Sequence, residues 1–188
     1  MRTAVIIAVV VIAVALAVGM SVKGIYNELV TQREAIEAQW RQVDVAIQRR
    51  ADLIPNLVET VKGFAKQELA VMQAVTSARA ALLAARSPQE RIAANQQLDA
   101  AIGRLLVVVE NYPQLKSNEN FLRLQDELAG SENRIAVERR KYNEAVQKYN
   151  TTIALFPNNL VASLFGFTRN DAYFRAEPAA RTVPKVAF

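Results

Sequence analysis

The chain opens on a stretch with no polar face. Thr3 to Val22 reads TAVIIAVVVIAVALAVGMSV and carries no charged side chain. About twenty residues at 1.5 Å each make a helix of about 30 Å, the hydrocarbon thickness of a bilayer. A helix from a soluble core would show a polar stripe, and this one shows none. Ala13, Ala15 and Ala17 offer the small-residue pairs of a signal-peptide cleavage site. The apolar run outlasts the core of such a peptide, which favours a retained anchor. Arg2 stands on one side of it and Lys23 and Arg33 on the other, so the positive-inside count leaves the orientation open.

From Lys23 the pattern turns amphipathic with no linker, so the anchor is expected to run on as the first soluble helix. Tyr26, Leu29, Ile36, Trp40, Val43 and Ile47 recur at three- and four-residue steps, the seam of a helix packed on helices. Ile54, Leu57, Val61, Phe64, Val71 and Val75 continue the rhythm. Pro55 lacks an N–H and suits a first helical turn, and Arg49 and Arg50 suit a helix C-terminus. A helix–helix corner at Ala51 to Pro55 is therefore expected, the alternative being one helix kinked at Pro55. A second helix then runs from about Pro55 to Ala85.

Ser87-Pro88-Gln89-Glu90 has the form of a capping box with proline at the first helical position. The third helix turns Ile92, Leu98, Ile102, Leu105, Leu106 and Val109 inward and stops at Asn111-Tyr112-Pro113. Ser117 or Asn118 caps the fourth, which runs to about Phe156 on a seam of Phe121, Leu124, Leu128, Ile135, Tyr142, Tyr149 and Ile153. Tyr142-Asn143 repeats seven residues later as Tyr149-Asn150, on one stripe of the helix, and Tyr26-Asn27 echoes both. The repeats suit tyrosines packing with their hydroxyls at the core's edge and asparagines bonding between helices; a ligand pocket is the sharper alternative. After Pro157 come a short apolar segment, NNLVASLFGF, and a tail whose last dozen positions, with two prolines and several small or charged residues, are expected to be disordered or ordered only on contact.

The predicted class is all-α: an N-terminal transmembrane helix followed by an antiparallel four-helix bundle with long helices. Residues 1–22 form the anchor, 23–157 the bundle, and 158–188 the apolar segment and tail.

Composition mostly removes options. The 188 residues include no cysteine and no histidine, which excludes disulfides, thiol nucleophiles, Ser–His catalysis and histidine-based zinc or di-iron sites. No GxGxxG or P-loop spacing occurs among the scattered glycines. A net charge of +5, spread along helices without a basic patch interleaved with aromatics, gives no nucleic-acid site. Neither a catalytic residue, a metal ligand nor a cofactor is expected. The candidate polar cluster is Arg49, Arg50 and Asp52, either an anion site or a set of helix caps. The candidate membrane-interface residues are Leu160, Val161, Leu164, Phe165 and Phe167, either meeting lipid or capping the bundle's open end.

Several pieces together resemble the LemA family of bacterial membrane proteins. They are Tyr26-Asn27-x-Leu29-Val30, Trp40, Asp44, Arg49-Arg50-x-Asp52-Leu53-Ile54-Pro55-Asn56-Leu57-Val58 and Val61-Lys62-Gly63-Phe64-Ala65. With them go Glu110-Asn111-Tyr112-Pro113, Leu115-Lys116, Glu132-Asn133-Arg134-Ile135, and Tyr142-Asn143 through Phe156-Pro157. The resemblance implies an N-terminal membrane helix, an antiparallel helical bundle and a role in envelope or membrane organisation, and transfers no catalytic residue. Family members often have histidine where Gln67 precedes Glu68, and its replacement here argues against a metal at that place.

The functional expectation is a non-catalytic, membrane-anchored scaffold or adaptor of the bacterial envelope. It would sit in the cytoplasmic membrane with one pass, its side left open. The competing expectation is a module sensing a small anion or lipid headgroup at Arg49/Arg50. Expected partners are membrane lipids through the anchor, envelope proteins and copies of the chain itself, with no nucleic acid.

Overall fold

The computed structural model describes residues 1–174. Every regular element among them is helical: α1 (Arg2–Phe64), α2 (Leu69–Ala84), α3 (Pro88–Val109), α4 (Pro113–Lys116), α5 (Glu119–Ala154) and α6 (Asn158–Leu164). The apolar stretch and the amphipathic one after it are a single helix, as the missing linker implies. Among the described residues α1 is the one helix long and apolar enough to cross a membrane, and none of that apolar window is buried inside the protein.

The corner expected at Ala51–Pro55 does not form. α1 runs unbroken through Pro55, the continuous alternative, and the chain turns at residues 65–68 instead. A proline inside a helix leaves the carbonyl four residues back without its donor. Here that carbonyl belongs to Ala51, and Arg79 Nε of α2 donates to it at 2.8 Å. Ala51 and Arg79 stand equally far in sequence from Ala65, as a hairpin turning there requires. The later turn also shifts the helical phase: Ala65 and Met72 are buried, whereas Phe64 is exposed and Val71 only half-buried.

The described chain divides into two units, Met1–Gln39 with Glu144–Asp171, and Trp40–Asn143 with residues 172–174. In the first, Leu29 and Ile36 of α1, Val146, Tyr149 and Ile153 of α5, and Val161 and Ala162 of α6 are buried. Gly166 ends α6 at φ +73°, a left-handed conformation that only glycine adopts without strain. The Phe167 amide reaches back to the Ala162 carbonyl at 2.8 Å and the Gly166 amide to that of Ser163 at 3.4 Å, closing a Schellman cap.

In the second unit the buried stripe of α1 is Val43, Ala46, Ile47, Ala51, Ile54, Leu57 and Val61, the spacing expected of it. α2 packs on α3. The capping box forms as predicted: Ser87 Oγ accepts from the Glu90 amide at 3.2 Å, and Glu90 Oε2 accepts from the Arg86 and Ser87 amides at 2.8 and 3.4 Å. Those two backbone donors hold the Glu90 carboxyl below its usual pKa. Asn118, rather than Ser117, caps α5 by accepting from the Phe121 amide at 3.1 Å. The disorder or contact-ordering expected of the last dozen residues lies outside the described residues.

Candidate functional site

The three members of the candidate polar cluster part company. Arg50 faces inward, and its side chain keeps 8% of its exposure. It pairs through one Nη with both Asp99 of α3 and Glu132 of α5. Asp99 also accepts from Asn95 Nδ2 at 3.0 Å and lies 3.5 Å from Arg139. Removing a guanidinium from water is costly, and the two carboxylates offset that cost. Arg50 therefore ties α1, α3 and α5 together inside the second unit. A second tie lies nearby, where Arg91 Nε approaches Asp44 Oδ1 to 2.6 Å.

Asp52 is exposed and accepts from Gln48 along the same helix at 2.9 Å. Arg49 is exposed and lines a cleft of about 190 Å³ with Ala46, Glu127, Gly130, Ser131 and Arg134. Neighbouring helical positions point about 100° apart, so Arg49 and Arg50 cannot share a site. The sequence did not pick out Asp99 as Arg50's partner. Its signal was the pair Asn95 and Asp99, one helical turn apart beside the apolar Leu98 and Ile102.

The tyrosine–asparagine repeats hold the chain's own extended segment, not a neighbouring helix. In the second unit, Asn143 Nδ2 donates to the Phe174 carbonyl at 2.9 Å while Asn143 Oδ1 accepts from the Phe174 amide at 3.0 Å. The Phe174 ring stacks on Trp40 at 6.1 Å, meets Tyr142 edge-on at 5.8 Å and lies under the Arg139 guanidinium at 5.0 Å. In the first unit, Asn150 makes the same two bonds to Asn170, at 2.8 and 2.9 Å. Tyr149 donates to the Thr168 carbonyl at 3.0 Å, and burial pushes its pKa up against the opposing pull of the Arg33 cation. A side-chain amide that meets one residue's N–H and C=O together imitates the pairing of a strand. Asn27, the third copy of the pattern, is exposed and makes no such clamp with the described residues; its carbonyl accepts from Thr31.

At the turn, Tyr112 accepts from Gln67 Nε2 at 2.9 Å and donates to Glu68 Oε1 at 3.0 Å. Burial, and the hydrogen bond to Glu68, raise the Tyr112 pKa. Gln67 and Glu68 thus fasten the α1–α2 turn to the α3–α4 connection. Among the described residues no group of three His, Cys, Asp or Glu side chains is placed to hold a metal ion.

Of the candidate interface residues, Leu160, Leu164 and Phe165 are exposed and Phe167 is half-buried, whereas Val161 is buried. Val161 follows Leu160 on a short helix, about 100° further round it, and so turns off the outward face. Phe165 and Phe167 meet Tyr26 edge-on at 5.0 and 5.6 Å within the first unit.

Known proteins match over most of the chain. The model of the LemA family covers residues 39–188. The chain belongs to the LemA family. Among relatives of this LemA protein, magnetosome protein MamQ 2 of Paramagnetospirillum magneticum is 30% identical over 183 residues, covering 84% of this chain and 67% of its own. Magnetosome protein MamQ of Magnetospirillum gryphiswaldense is 28% identical over 183 residues, with the same coverage. Protein LemA of Metamycoplasma hominis is 26% identical over 159 residues, covering 82% of this chain and 71% of its own. The matched region of this LemA chain contains Arg50, Asp99, Glu132 and both asparagine clamps, while the buried Gln32 lies outside it.

Proposed function

We propose that this protein is a membrane-anchored, non-catalytic helical scaffold of the bacterial envelope. Residues 3–22 cross the cytoplasmic membrane once. The helical remainder, an antiparallel four-helix bundle, presents its outer faces to envelope proteins or to further copies of the chain. The observation that carries the proposal is the contrast within α1. Its first apolar stretch is bare of protein contacts, while Leu29, Val43, Ile47, Leu57 and Val61 of the same helix are completely buried. One part has its burial supplied by the protein, and lipid is the solvent that suits the other. The polar groups inside fit a scaffold: Arg50, Asp99, Asn143, Asn150 and Tyr149 are all engaged with other parts of the chain. Relatives named as magnetosome proteins support the membrane location. Crosslinking in native membranes, followed by identification of what is joined to the chain, tests the proposal. A defined set of envelope proteins or self-crosslinks is expected; a chain recovered only as the uncrosslinked monomer contradicts it.

A second role, binding a small anion or headgroup, draws on the cleft that Arg49 and Arg134 line together. Arg50, already paired with two carboxylates, takes no part in it. Arg49→Ala with Arg134→Ala separates the two roles. Loss of inorganic phosphate binding with crosslinks intact supports the anion site, and loss of neither binding nor crosslinks removes it.

A further inference from the structure

Between Lys148 and Arg169 the chain carries no charged side chain. This stretch comprises the last turns of α5, all of α6 and the Schellman cap after it. Its inward members, among them Ile153, Val161 and Ala162, are buried, but Leu155, Phe156, Leu160, Leu164 and Phe165 are 50–79% exposed. Leu160 and Leu164 are one turn apart and share the outward face of α6. A water-facing helix end would carry charges at such positions.

Contacts within the first unit fix where this face lies. Asn170 is clamped by Asn150, Thr168 accepts from Tyr149, and Phe167 lies against both Arg33 and Tyr26. Phe165, earlier in the chain, meets Tyr26. Going back from Thr168 to Phe165, the chain therefore moves from the level of Arg33 toward that of Tyr26, in the direction of the apolar stretch. Tyr26 is one turn, about 6 Å of helical rise, beyond Val22. The uncharged, apolar-faced segment thus sits at the end of the unit from which residues 3–22 emerge, with the exposed Lys23 beside it.

We infer that α6 and its flanks form a second membrane contact, lying in the headgroup boundary of the bilayer that α1 crosses, with Leu160, Leu164 and Phe165 dipped toward the acyl chains. The inference rests on the proposal that residues 3–22 span. Lipid is the occupant because the face adjoins that span. Aromatic and aliphatic side chains next to a spanning helix suit the boundary, where a lysine's stem lies along apolar surface and its charge reaches the headgroups. The contact would hold the first unit against the membrane at two places.

The native chain has no cysteine, so single-cysteine variants take one spin label each. The full chain is reconstituted in phosphatidylcholine–phosphatidylglycerol vesicles carrying labels at Leu160→Cys, Leu164→Cys, Val10→Cys or Val107→Cys. The logarithm of the ratio of oxygen to water-soluble nickel-chelate accessibility should be positive at 160 and 164, larger at 10, and negative at 107. Values at 160 and 164 equal to that at 107, with residue 10 deep in lipid, overturn the second contact and leave the anchor standing. A water-like residue 10 overturns the anchor itself. Labels at 160 and 164 shielded from both reagents show protein covering the face and overturn the lipid assignment.

Discussion

Arg79 Nε donates to the Ala51 carbonyl at 2.8 Å, the acceptor that Pro55 leaves without its helical partner. The proline and the arginine are thus coupled through a third residue that neither resembles. Arg79→Ala should destabilise the chain by about 1–3 kcal/mol, the cost of a buried polar group losing its bond. In a Pro55→Ala background, the backbone amide restored at position 55 recovers the Ala51 carbonyl, and most of that cost should vanish. Denaturant titration of the four members of this cycle in detergent measures the coupling; strictly additive effects would refute it.

Arg50 is buried against Asp99 and Glu132. Arg50→Ala takes the shared guanidinium from Asp99, which keeps Asn95 and Arg139, and from the partly exposed Glu132, and should cost about 1–3 kcal/mol. Arg49→Ala, one residue away and exposed, should cost less than about 0.5 kcal/mol. Thermal unfolding of the two variants side by side tests the assignment, and equal losses would contradict it.

The capping box gives a pH dependence with a definite sign. Glu90's pKa is lowered in the folded chain by the Arg86 and Ser87 amides. Its contribution is therefore present above the ordinary carboxylate pKa and is lost as pH falls through the lowered one. Ser87→Ala should cost about 1 kcal/mol at neutral pH. Glu90→Gln should flatten the acid limb of the stability profile, measured by unfolding midpoints from neutral pH downward.

The asparagine clamps hold an extended segment that has no helix of its own. Asn150→Ala removes both bonds to Asn170, and at roughly 0.5–1.5 kcal/mol each the segment should loosen locally while α5 stays intact. Hydrogen exchange at the Asn170 amide should accelerate at least tenfold, with the Ile153 amide unchanged. Unchanged exchange at Asn170 would contradict the clamp.

How much of this was visible in the sequence depends on the range of the forces involved. Apolar spacing gave the buried stripes of α1, α3 and α5, and the Ser87 capping box is a local device legible from four residues. The first turn was misplaced because Pro55 is the strongest local breaker, while residues 65–68, Ala-Lys-Gln-Glu, are ordinary helix formers. A donor from Arg79 and the Tyr112 bonds to Gln67 and Glu68 outweigh local preference there, and both come from far along the chain. The same limit applies to Arg50, which read as a helix-end cation because its partners Asp99 and Glu132 lie on other helices. Tyr142-Asn143 and Tyr149-Asn150 were correctly placed on one stripe. Their partners, Phe174 and Asn170, sit in a segment with no periodicity to mark it.

The claim on which the rest depends is that residues 3–22 are a retained membrane span. Alkaline-carbonate extraction of membranes containing the full chain, with mass measurement of the recovered protein, tests it most directly. The chain should stay in the membrane pellet at full length, residues 1–22 included. Recovery in the supernatant, or a product lacking about its first twenty residues, would contradict the span.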